Sequence, residues 1–164
     1  MVGRTPMTAR QAPPTPTTTD PSRGFRRFAS INGDNGRVFT DAEFRFLDSR
    51  RQGRLVTIGQ DDAAQVHAVA FTVDRAAGSV EIGGARLRET EAYRNARRDP
   101  RVSLVVEDPS SPLRGFPELQ GRGVEIHGLA ELSERSGGDV IRIRAVRLEQ
   151  WNMDDEGHHS RFVS

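Results

Sequence analysis

Two adjacent glycines and the arginines after them are the residues best placed to do chemistry in this sequence. Gly83-Gly84 close a short apolar segment, Ser79–Ile82, and Arg86, Arg88, Arg94, Arg97 and Arg98 follow. Without a Cβ, the glycines let a ligand approach the backbone closely. Guanidinium groups donate in a fixed fork that suits phosphate and carboxylate oxygens. The spacing predicts a helix of about four turns carrying the arginines. Asp99-Pro100 ends it, because the residue before proline is pushed out of helical geometry. Together these residues make a cradle for an anionic ligand. On spacing alone a plain strand-helix-strand crossover with a solvated basic face is the reading to prefer, since arginines are common on exposed helices.

Other chemistry is narrow. The chain lacks cysteine, which removes disulfides, thiolate metal sites and thiolate nucleophiles. It also lacks lysine, so all 24 basic residues are arginine, and Schiff-base chemistry and a P-loop lysine are excluded. His67 can give a proton or a hydrogen bond to a substrate, or simply pack; His127 reads as structural. His158-His159 are adjacent and point opposite ways on an extended chain, which disfavours a metal site. No metal is expected.

With 164 residues and a net charge of +1, the chain suits one domain and no general nucleic-acid partner. No apolar run approaches the roughly 18 residues that span a membrane, and no signal-peptide core opens the sequence. A cytoplasmic protein without a membrane partner is expected.

The elements that must position the glycines and arginines can be read in order. Residues 1–37 form a Pro/Thr/Arg-rich tail with little to bury. Thr40-Asp41-Ala42-Glu43 is a capping box, with Phe39 and Phe44 at the staple positions and Gly53 as a stop. Arg54–Ile58 is a strand, followed by a polar turn. Gln65–Val73 is apolar on both faces and so predicts a central strand. Arg101–Glu107 is a strand, Asp108–Gly121 a proline- and glycine-rich loop, and Arg122–Leu132 and Val140–Trp151 further strands. A slip in the apolar alternation at Ala145-Val146 predicts a bulge. Residues 38–153 form the domain and 154–164 a polar tail. The sum is five or six strands and two helices in a small, mostly antiparallel barrel, mostly β with α.

In order and spacing, several motifs resemble the split β-barrel family related to pyridoxamine 5′-phosphate oxidase. They are Phe39–Glu43, Gly53–Gly59, Ile82-Gly83-Gly84, Tyr93-Arg94-Asn95, Pro100–Val106 and Arg122–Gly128. The nearest branch is the actinobacterial one that uses the deazaflavin coenzyme F420, including reductases of tetracycline biosynthesis. This resemblance implies a homodimer with cofactor at the subunit interface, and a reductase passing a hydride from reduced F420 to an unsaturated or carbonyl-bearing small molecule. FMN is the alternative cofactor, and a non-catalytic ligand-binding barrel the alternative role. Carried over by motif, the cofactor neighbours are Thr57, Val69, Phe71, Gly83, Gly84, Arg86, Arg88, Thr90 and Arg94. Trp151 matches the family's closing tryptophan, a ring contact or a barrel-end core residue. Three places depart from the family's pattern: Glu91-Ala92 replace lysines, Gln60–Ala64 lack the usual turn glycine, and Ala68 and Ala70 replace a proline and a glycine.

Overall fold

A computed structural model describes residues 37–113, 116–153 and 158–163, with side chains left aside at 111–120. The expected tail before residue 37 therefore lies outside the described residues. Helix α1, Asp41–Asp48, begins where the capping box puts it: Glu43 N–H donates to Thr40 Oγ1 at 3.2 Å, and Thr40 N–H to Glu43 Oε2 at 2.9 Å. The helix stops at Ser49, before Gly53. Gly53 lies inside strand β1 (Gln52–Ile58), where a Cβ would stand 3.0 Å from Leu104 and from the Val105 carbonyl. Close strand packing, and not helix termination, requires this glycine.

The remaining strands are β2 (Ala64–Ala70), β3 (Thr72–Asp74), β4 (Ser79–Gly84), β5 (Arg101–Leu113), β6 (Phe116–Arg135), β7 (Gly138–Trp151) and β8 (His158–Phe162). They pair in the order β2-β1-β5-β6-β7-β4-β3, with β8 on β7, and every pairing is antiparallel. Leu55, Leu104, Val106, Val124, Ile126, Ile141, Ile143 and Leu148 point inward as the fully enclosed core. The expected bulge is present: His127 faces Arg147 and Gly128 faces Ala145, so Val146 has no partner in that ladder.

Four further expectations need correction. The proline-rich stretch after Asp108 is not a free loop; β5 and β6 continue through it as a ladder with register shifts, reaching Leu113 and Phe116. Within it, the Ser110 hydroxyl and amide donate to the Asp108 carboxylate, which also pairs with Arg50, and these donors hold its carboxyl down at about 2. The polar C-terminal segment is not all tail, because His158–Phe162 add β8 to the sheet. The predicted central strand, β2, lies instead at one end of the pairing order. Its inner face turns toward the barrel, but Val66, Ala68 and Ala70 face outward and Val66 is 60% exposed. Finally, the arginine helix is shorter than expected. A single 3₁₀ turn at Leu87–Glu89 comes first, and helix α2 spans only Glu91–Arg98. Thr90 separates the two, accepting from Tyr93 N–H at 3.2 Å as the α2 N-cap while its hydroxyl donates to Leu87 O at 2.6 Å. That hydroxyl ends one helix and starts the other, so Arg86 and Arg88 stand outside α2.

Strand β8 ties back to α1 through a charge pair. Arg161 reaches both carboxylate oxygens of fully buried Glu43 and donates to Val38 O at 2.8 Å. Removing one partner of such a pair strands the other charge. Arg161→Ala is expected to lower unfolding free energy by about 3–5 kcal/mol, measured by denaturant titration; an unchanged midpoint would show the pair to be inert.

Candidate functional site

The site arises where one chain segment changes partners. Residues 64–70 pair with β1, and residues 72–74 pair with β4. Between them Phe71 is buried at 3% exposure, and its N–H donates to Arg51 O at 3.3 Å. Past Glu81, β4 pairs with β7 on one edge and with no described strand on the other. The free edges of β2 and of Ile82–Gly84 thus diverge from Phe71 and open a wedge of about 490 Å³. His67, Ala68, Val69 and Ala70 line one wall, Ile82, Gly83 and Gly84 the other, and Arg86, Leu87, Thr90 and Ala92 the end. A smaller pocket of about 250 Å³ adjoins it, bounded by Ala70, Phe71, Thr72, Glu81, Gly83 and Val140.

Among the described residues nothing packs where a side chain on Gly83 or Gly84 would stand. Neither has a positive φ, and a Cβ on either would meet nothing within 4 Å. A side chain at either position would project into open space beside the groove. This suits the close approach of a flat molecule to backbone.

Of the residues carried over by motif, Val69, Gly83, Gly84, Arg86 and Thr90 line the wedge, and Phe71 and Gly83 line the adjoining pocket. Thr57, Arg88, Arg94 and Trp151 line neither. Thr57 is fully buried behind the β2 wall. Arg88 turns toward the β6–β7 hairpin, where it donates to Asp139 at 2.6 Å and to Glu134 at 3.4 Å. The hydrogen bond and charge of Asp139 push its guanidinium up from the ordinary value. Arg94 donates to the Glu89 carbonyl at 2.7 Å. Trp151 sits at the other end of β7 from the Gly83–Val140 pair, with its indole over Gly123, where a Cβ would be 2.2 Å from the ring. Within one chain it packs the barrel end. Among the described residues Arg86 is the one arginine lining the wedge; it pairs with Glu89 at 2.6 Å, and its side chain is 81% exposed.

Sequence reasoning undervalued two residues. His67 lines the wedge, with Nε2 2.9 Å from Thr57 Oγ1. Asn95, buried on α2, donates to Thr57 Oγ1 at 3.0 Å and to Gln65 Oε1 at 2.7 Å. Positions 57, 65, 67 and 95 meet only in the fold, so no local spacing announces them. His127, read as structural, lies 3.5 Å from Glu125 and 3.4 Å from Glu149 on the barrel wall. Those carboxylates also engage Ser103 and Arg147.

No family model matches the sequence. Among curated proteins, the chain is 31% identical over 137 residues to the 5a,11a-dehydrotetracycline/5a,11a-dehydrooxytetracycline reductase of Streptomyces rimosus, covering 77% of this chain and 94% of that protein. Solved structures share the fold. A heme binding protein from Mycobacterium smegmatis superposes with a TM-score of 0.57 at 18% identity, over 76% of this chain and 58% of that one. A putative pyridoxamine 5′-phosphate oxidase from Listeria innocua gives 0.52 at 19%, over 66% and 94%. A structure described as an F420 reductase gives 0.50 at 21%, over 67% and 98%. The chain is a pyridoxamine 5′-phosphate oxidase-like split barrel. It belongs to the family of the Streptomyces rimosus reductase.

Because open space surrounds both glycines, Gly83→Val should fold with a melting temperature within about 4 °C of the parent while narrowing the wedge. Calorimetry checks the first expectation. Titration with F420 and FMN checks the second, with at least about a tenfold affinity loss, or about 1.4 kcal/mol, expected for the ligand that binds.

Proposed function

We propose that this chain is an F420-dependent reductase that delivers a hydride to a conjugated carbon–carbon or carbonyl bond of a polycyclic small molecule. The carrying observation is a glycine-walled wedge beside Arg86, in a chain 31% identical to a tetracycline-intermediate reductase. When bound, reduced F420 supplies the hydride. The chain's own residues bind, orient and dry the site. Gly83 and Gly84 let a ring system lie against backbone, and Val69, Ala70 and Ile82 give it apolar walls. Arg86 can leave Glu89 for an anionic group, since both side chains are solvent-accessible and such exposed pairs are worth little.

The reading includes a homodimer. The outward row Val66, Ala68 and Ala70 on β2 runs along the lip of the wedge, and covering it with a second copy would also close the groove. Trp151 could then meet a ligand only across that interface, because its own wedge lies at the other end of β7.

FMN is the second reading, and the engagement of Arg88 and Arg94 within the chain favours it. With one guanidinium lining the wedge among the described residues, a compact phosphate monoester has more of its charge met than a long polyanionic tail.

The test is titration of the purified protein with F420 and with FMN. Arg86→Ala should weaken the ligand that binds by about 1.5–3 kcal/mol, the scale of a lost charge-assisted hydrogen bond. Arg88→Ala should leave affinity within about twofold, or about 0.4 kcal/mol. An effect of Arg88→Ala that exceeds that of Arg86→Ala would contradict the reading, as would the binding of neither cofactor.

A further inference from the structure

We infer that Asn95 and Thr57 lock His67 as the neutral tautomer protonated on Nδ1, and that this N–H is a hydrogen-bond donor built into the wedge for an acceptor on the bound ligand. The second half rests on the wedge being a ligand site, as proposed above; the first half does not.

The lock follows from counting donors. Thr57 is fully buried on the inward face of β1, opposite Gln65 in the β1–β2 register. The amide nitrogen of Asn95 has two hydrogens, and its two contacts, Thr57 Oγ1 at 3.0 Å and Gln65 Oε1 at 2.7 Å, use both. Thr57 therefore accepts from Asn95 and still has its own O–H to place. Among the described residues its other hydrogen-bond partner is His67 Nε2 at 2.9 Å. If Nε2 carried a proton, the Thr57 O–H would be left buried without an acceptor, which is costly. With Nε2 unprotonated, the chain Asn95 N–H to Thr57 O–H to His67 Nε2 satisfies each group. Such second partners commonly fix a histidine's tautomer.

The proton of the neutral ring then sits on Nδ1. Among the described residues Nδ1 has no hydrogen-bond partner, and it is not among the enclosed, unpartnered atoms. The ring lines the wedge. A fixed N–H facing a largely apolar groove recognises a carbonyl oxygen or an unprotonated ring nitrogen on a flat ligand, and disfavours a ligand that presents a donor there. The position of Asn95 on α2 explains why this helix is held against the β1–β2 hairpin: Arg98 on the same helix also donates to the Ile58 and Gly59 carbonyls. The histidine's orientation thus depends on a helix that also forms part of the wedge's end, through Ala92.

Long-range proton–nitrogen NMR of the ¹⁵N-histidine-labelled full chain near neutral pH reads the tautomer directly, with His67 assigned by its loss in His67→Gln. The expected result is Nδ1–H; the Nε2–H tautomer would overturn the inference. Thr57→Val, with its fold checked by the backbone amide spectrum, should release the lock and move His67 toward the Nε2–H form, whereas Thr57→Ser should keep Nδ1–H. A His67 tautomer unmoved by Thr57→Val would overturn the lock. F420 and FMN are then added in turn. The one that binds should shift the His67 Nδ1 proton downfield, and His67→Ala should weaken it about 5- to 20-fold. A cofactor that binds without moving His67, and equally well to His67→Ala, overturns the donor role and leaves the reductase reading standing. Binding of neither cofactor removes that reading, and the proposed donor falls with it, while the tautomer spectrum still decides the lock.

Discussion

The change of partner at Phe71 is the constraint on which the rest depends. A strand that pairs with β1 before this residue and with β4 after it cannot keep both neighbours along its whole length. The sheet therefore closes through the covalent chain while its edges part above Phe71. Burial of the ring and its N–H bond to Arg51 fix the point of divergence. The wedge, its glycine wall and the exposed outer face of β2 are consequences of that geometry. Most barrels remove free edges by pairing them; here, among the described residues, the edges of β2 and of Ile82–Gly84 stay unpaired and face each other.

Charge is arranged around this opening with economy. The sequence places five arginines within thirteen positions of one another, which suggests a broad basic cradle. In the fold most of those groups are already engaged. Arg88 fastens the β6–β7 hairpin, Arg94 caps the 3₁₀ turn, and Arg98 holds the β1–β2 turn. Arg86 remains beside the groove, paired with the exposed Glu89. Elsewhere Arg161 and Glu43 use the same chemistry structurally, joining the last strand to the first helix. In this chain arginine serves mainly as a clamp between elements, and one clamp lies where a ligand can compete for it.

What the sequence made legible were features set by neighbours along the chain. The capping box at Thr40–Glu43 and the bulge at Val146 follow from spacing within a few residues, and both formed as read. Gly83-Gly84 stood out because paired glycines at a strand end need a reason. Thr90, expected beside a ligand by motif, lines the wedge, but its role in splitting the basic helix was not legible. The apolar outer face of β2 was misread as evidence for a central strand. An apolar pattern says that a face is to be covered, not what covers it. The ladder beyond Asp108 was hidden by its prolines and glycines, and β8 by its polar composition. The histidine lock was out of reach, because it joins Thr57, Gln65, His67 and Asn95 through bonds that local patterns do not encode.

Hydrogen exchange measured amide by amide, with and without F420 or FMN, tests the central claim most directly. The unpaired edge amides of residues 65–70 and 82–84 should be among the faster-exchanging strand positions in the free protein. They should gain protection together when a cofactor binds. Protection confined to a separate pocket beside α1, lined by Arg45, Phe46 and Arg122, with both edges of the wedge unchanged, would contradict the account.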